Sequence, residues 1–185
     1  MCGDRHIVAP YRGGMLIAVV DALGHGDEAA AAAAIAERAL CESPEETVIG
    51  AVKRCHEALR GSRGVVMSIA RFDAGQSVLT WLGIGNVEGV VVQTPAGHAA
   101  VRARLLNRGG VVGSSLPHLR AEVLDMSAGA LLVFATDGVE SAFADIMGPD
   151  PRPVQEIADD LLRRHSKPSD DALVLAARLG MENSA

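Results

Sequence analysis

Three aspartates stand at the boundaries of apolar runs, and their placement is where the chemistry of this chain is to be sought. Asp21 closes Met15-Leu16-Ile17-Ala18-Val19-Val20. Asp137 ends Ala130-Leu131-Leu132-Val133-Phe134-Ala135-Thr136 and is followed by Gly138. Asp170, within Ser169-Asp170-Asp171, opens Ala172-Leu173-Val174-Leu175-Ala176-Ala177. Runs of this length read as buried strands, and a carboxylate beside one is costly unless something pairs with it. Asp4 sits near the start of another strand-like stretch, Cys2 to Pro10. If these carboxylates meet at one edge, they repel, and without a cation at least one takes up a proton. Oxygen ligands without His or Cys favour a hard ion, Mg²⁺ or Mn²⁺. Two such ions about 3.5–4 Å apart can polarise a shared water and aim it at phosphorus. Asp21 is then the natural bridging carboxylate, and the main-chain carbonyl of Ala22 a further oxygen. Taken singly, Asp-Gly and Asp-Asp are ordinary turn dipeptides. The recurrence of one placement is what carries weight.

These residues need a frame. Tyr11 to Gly14 reads as a turn that folds the first strand onto Met15–Asp21 as a hairpin. Gly24 and Gly26 let the backbone turn sharply after Asp21. Asp27 to Cys41 has helical character, with acids at its start and six consecutive alanines from Ala29 to Ala34. Ser43-Pro44-Glu45-Glu46 is a helix-start signal, which predicts a second helix running to about Leu59. Val65–Phe72, Ser77–Ile84, Val87–Gln93, Ala99–Leu106, Arg120–Met126 and Ala130–Ala135 read as strands separated by turns. Asn107 to Gly113 is glycine-rich but lacks the spacing and lysine of a phosphate-binding loop, so it reads as a constrained loop. A short helix is expected over Val139–Phe143, an amphipathic one over Val154–His165, and a last strand over Ala172–Leu179. Gly180 to Ala185 reads as a frayed end. This order lacks the strict alternation of a parallel doubly wound fold. It fits an α+β class, antiparallel sheets covered by helices, as a single domain over 1–185.

Composition narrows the function. Hydrophobic residues make up 49% and aromatics only 3%. The core is therefore packed from Ala, Val, Leu and Ile, which suits helices lying close on sheets. A net charge of −6 leaves no electrostatic footprint for nucleic acid or an anionic membrane. Nothing resembles a signal peptide or a membrane span, so a cytoplasmic protein is expected. Cys2, Cys41 and Cys55 have no CxxC spacing and read as free thiols in a reducing compartment.

Asp-Ala-Leu-Gly-His-Gly at 21–26, Ala-Thr-Asp-Gly-Val at 135–139 and Ser-Asp-Asp-Ala at 169–172 resemble the motifs of metal-dependent Ser/Thr protein phosphatases of the PPM superfamily. They are most similar to its bacterial SpoIIE-type branch, whose first motif the Gly3-Asp4 pair fits. Gly-Ile-Gly-Asn-Val-Glu-Gly at 83–89 and Arg-Gly-Gly-Val-Val-Gly at 108–113 look like those of the small feedback phosphatases of the stressosome. The resemblance implies an α-β-β-α sandwich, two antiparallel sheets flanked by helices. It implies two Mn²⁺ or Mg²⁺ ions bridged by Asp21, with the Ala22 carbonyl on one and Asp137 and Asp170 on the other. Asp4 would act near the metals, directly or through water. Metal-activated water would attack phosphoserine or phosphothreonine in line, with no phospho-enzyme. The implied partners are phosphorylated STAS-domain proteins of a stressosome, of the RsbR and RsbS kind, which a monomer would dephosphorylate to reset the stress response.

The match has departures. The eukaryotic branch places a general-acid histidine two residues after its bridging aspartate. His25 lies four residues after Asp21 and is read as part of the turn. No arginine clearly matches the eukaryotic phosphate-binding one; Arg5 and Arg12 read as surface charges. Two other functions stay open here: a non-catalytic module that docks on the stressosome, and a hydrolase of small phosphate esters.

Overall fold

The computed structural model describes residues 2–168 and 170–180. Ser169 and most of the expected frayed end lie outside the described residues. Strands β1 (Asp4–Tyr11) and β2 (Gly14–Ala22) form the expected hairpin, followed by α1 (Asp27–Cys41) and α2 (Val48–Ala58). Then come β3 (Val65–Asp73), β4 (Val78–Ile84), β5 (Glu88–Gln93), β6 (Val101–Arg104), β7 (Asn107–Arg108), β8 (Glu122–Asp125) and β9 (Ala130–Ala135). Helices α3 (Phe143–Ile146) and α4 (Val154–His165) precede β10 (Val174–Leu179). One sheet has the order β1-β2-β3-β4-β7, with β8 also pairing β4; the other runs β10-β9-β5-β6.

The sandwich follows from alternation along each strand, which sends successive side chains to opposite faces. In β2, Leu16, Ala18 and Val20 face α1 and α2, while Ile17 and Val19 face the second sheet. In β9, Leu132 and Phe134 join that inter-sheet core, while Leu131, Val133 and Ala135 face outward. There they pack with Phe143 of α3 and with Ile157 and Leu161 of α4. Both strands are buried on two sides, so both read as unbroken apolar runs rather than alternating ones. The layers are therefore helix, sheet, sheet, helix, as the resemblance implied. Ala29, Ala32, Ala33 and Ala36 of α1 are fully buried, and small side chains at that spacing let the helix lie close on its sheet.

Four details differ from the sequence reading. The second helix starts at Val48, because Thr47 caps it by accepting the Gly50 N–H at 3.2 Å. The Ser43–Glu46 stretch is instead a turn, closed by the Glu46 N–H on the Ser43 carbonyl. The stretch after Asp137 does not coil at once. Glu140 donates to the His165 carbonyl and Lys167 donates to that of Gly138, so this segment pairs sideways and α3 begins only at Phe143. Finally, Asn107–Arg108 leaves the loop state as a two-residue strand parallel to Gly83–Ile84, the one departure from antiparallel pairing among the described strands. The Asn107 side chain secures it by donating to the Val87 carbonyl at 2.6 Å. No helix of the described residues is long and apolar enough to cross a membrane.

Candidate metal centre

The hairpin register sets Asp4 directly across from Asp21. Alternation puts Asp21 on the same face as Ile17 and Val19, toward the second sheet. That sheet contributes the ends of two neighbouring strands: Asp137 lies two residues past β9, and Asp170 and Asp171 lie shortly before β10. Asp4, Asp21, Asp137, Asp170 and Asp171 all line one open cavity of about 440 Å³ at this end of the sandwich. An adjoining cavity of about 500 Å³ shares Asp21, Asp137 and Asp170 and adds Ala22 and Asn86. Every acidic residue predicted for the site is thus brought to one place. Among the described residues, no three His, Cys, Asp or Glu side chains close in as a ready-made cage. The acids form a bowl instead, which suits an ion that keeps several of its waters.

Local backbone features hold the bowl. Gly24 and Gly26 have φ of 86° and 83°, a region that favours glycine, and they turn the chain from β2 into α1. A Cβ on Gly138 would lie 1.8 Å from the Asp171 carbonyl oxygen, so only glycine lets the two acidic segments approach. The Asn86 amide donates to the Asp137 carboxylate at 2.6 Å, and the Lys167 ammonium to the Asp137 carbonyl at 2.5 Å. Thr136, buried beside Asp137, donates its hydroxyl to the Asp4 carboxylate at 2.8 Å.

The electrostatics call for a cation. Burial pushes the Asp21 carboxyl up to about 7, with the charges of Asp4 and Asp137 adding to the effect. Burial also raises Asp4, against the stabilising hydrogen bonds of Thr136 and Asp21. A divalent ion would relieve this repulsion, and the oxygen-only donor set fits Mg²⁺ or Mn²⁺.

Sequence reasoning missed Thr136, Asn86 and Lys167. Asn86 stood inside the 83–89 motif and Thr136 inside the 135–139 motif, but neither motif says what its polar side chain touches. His25 lies exposed in the wall of both cavities. Arg5 points away, toward Glu37 of α1 at 3.9 Å. Arg12 sits at the far end of the hairpin, roughly 25 Å along the strands.

The chain is similar to known proteins in sequence and in fold. The family described as "Stage II sporulation protein E (SpoIIE)" matches residues 11–180. The phosphoserine phosphatase RsbX of Bacillus subtilis (strain 168) is 22% identical over 179 residues, 97% of this chain and 88% of that protein. A solved structure of RsbX in complex with magnesium superposes with a TM-score of 0.81 at 21% identity, over 96% of this chain and 87% of that one. A chain from structural work on the bacterial stressosome, a modular system adapted to control secondary-messenger signalling, also gives 0.81, at 26% identity and over 96% and 92%. The chain therefore belongs to the SpoIIE family and is a metal-dependent phosphatase of the PPM superfamily.

Proposed function

We propose that this chain removes phosphate from phosphoserine or phosphothreonine in STAS-domain proteins of a stressosome, of the RsbR and RsbS kind, and so resets the stress response. The observation that carries the reading is the convergence of Asp4, Asp21, Asp137 and Asp170 from both sheets on one open bowl. Similarity to RsbX and to the stressosome chain supports the choice of substrate.

Asp21 would be the carboxylate shared by two Mn²⁺ or Mg²⁺ ions, with the Ala22 carbonyl as a further oxygen and Asp137 and Asp170 as the carboxylates that would hold the second. Asp4 acts beside them, directly or through water. Ions held there would supply a water of lowered pKa and positive charge for the phosphoryl oxygens. The chain's own residues prepare the site. Burial pushes the Asp21 carboxyl up to about 7, so its proton would pass to solvent water when a cation takes its place. Asn86 orients the Asp137 carboxylate, and the bowl lies open at the edge of the sandwich, as access for a phosphorylated protein requires. The chain works as a monomer.

The test is phosphate release from phosphorylated STAS-domain protein with Mn²⁺, with EDTA and with Asp21→Asn. Release should need the metal and fall by roughly 10²–10³-fold in the variant, the loss expected when several kcal/mol of metal-based stabilisation go. Binding of the phosphoprotein with no release under any metal would replace this reading with a docking module. Turnover of small esters alone would replace it with an esterase.

A further inference from the structure

We propose that Thr136 is the positioning residue for Asp4 and, through it, sets how tightly the centre holds its cation. The inference rests on the metal-centre reading above. Thr136 is 1% exposed, so water does not complete its bonding. Its oxygen accepts the Leu173 N–H at 2.9 Å, and Asp4 Oδ2 lies 2.8 Å away. A threonine hydroxyl has one proton to give. Leu173 presents an N–H and cannot receive it, so the proton goes to Asp4. One carboxylate oxygen of Asp4 is thereby held in place, and the other is left for the centre.

The bond also crosses the sandwich. Asp4 begins β1 in the first sheet, whereas Thr136 follows β9 directly in the second and is adjacent to Asp137. The Leu173 N–H anchors the hydroxyl to the chain that leads from Asp170 into β10. One buried side chain therefore ties together the segments that carry Asp4, Asp137 and Asp170. The alternation of β9 explains why it can: Ala130, Leu132 and Phe134 face the first sheet, and Thr136 continues that series. Groups that orient metal-binding carboxylates typically change metal affinity by about 10–100-fold when removed.

The experiment is calorimetric titration of Mn²⁺ into the full chain as wild type, Thr136→Val and Thr136→Ser, with melting curves to verify folding. Valine keeps the shape and removes the donor, whereas serine keeps the donor. Thr136→Val should bind Mn²⁺ about 10–100-fold more weakly and Thr136→Ser within about threefold of wild type. In phosphate release, Thr136→Val should need correspondingly more Mn²⁺, with KM for the phosphoprotein unchanged and kcat largely restored at saturating metal. Wild-type Mn²⁺ affinity in folded Thr136→Val overturns the proposal, as does a loss of activity that added Mn²⁺ does not restore. If Thr136→Val does not fold, Thr136→Cys, with its weaker donor, takes its place under the same criteria. A wild-type chain that binds no Mn²⁺ would instead refute the metal-centre reading itself.

Discussion

Burial pushes the Asp21 carboxyl up to about 7, whereas an aspartate in an unfolded chain titrates near 3.9. Between these values the folded chain keeps a proton that the unfolded chain has lost. This residue's contribution to metal-free stability is therefore greatest below about pH 4, declines as the pH rises to about 7, and is flat above. Melting EDTA-treated wild type and Asp21→Asn across pH 4–8 isolates it: the Tm of the wild type should drop relative to the variant as pH rises. A difference that runs the other way would mean the carboxylate is stabilised rather than strained in the empty site. Asp21, Asp137 and Asp170 were legible in the sequence because each bounds an apolar run. Thr136 was not, because its meaning depends on a partner 132 positions away, and Asn86 depends on one 51 positions away. No local pattern encodes such pairs.

At the scale of elements, α1 was legible to the residue, since its acids, alanines and buried spacing all agree on Asp27–Cys41. The start of α2 was not, because Ser43-Pro44 and Thr47 are both acceptable starts, and it is Thr47 that receives the Gly50 N–H. The tight seating of α1 makes a clear prediction. Ala33→Leu forces side-chain volume between the helix and the first sheet, at a cost of about 1–3 kcal/mol. For a chain of this size that lowers Tm by roughly 2–12 °C. Ala31→Leu, on the exposed side of the same helix, should stay within about 0.5 kcal/mol of wild type. Equal losses in both variants would mean that the close approach of helix and sheet does not matter. The hairpin shows the same dependence on geometry. A slip of one residue between β1 and β2 would take Asp4 out of line with Asp21.

At the scale of the molecule, the centre lies where the two sheets meet, with Asp4 and Asp21 from one sheet and Asp137 and Asp170 from the segments flanking β9 and β10 of the other. An ion bound there joins the halves of the sandwich and is available only to the folded chain. Mn²⁺ at a hundredfold excess over its Kd should stabilise the protein by about 2.7 kcal/mol. At roughly 2–4 °C per kcal/mol, Tm should rise by about 5–11 °C, and EDTA should reverse the shift. An unchanged Tm under saturating Mn²⁺ would mean that the acids hold no ion between the sheets. The layered architecture was legible from the order of elements, but the meeting of the two sheets at this edge was not. It depends on register and on the buried contact between Asp4 and Thr136.

The Asp4–Asp21 pair also bears on how this sequence came to be what it is. In the middle of the hairpin, local preference and global fold agree: Ile7 sits opposite Ala18, and Ala9 opposite Leu16. Only at its open end does the chain place two carboxyl groups face to face, where an apolar pair would fold more readily. That end is a point of frustration in an otherwise consistent landscape. Stability alone would not select it. Replacing both acids with valine should yield a sturdier protein without the candidate centre, so the proposed function asks for a contact that stability alone disfavours.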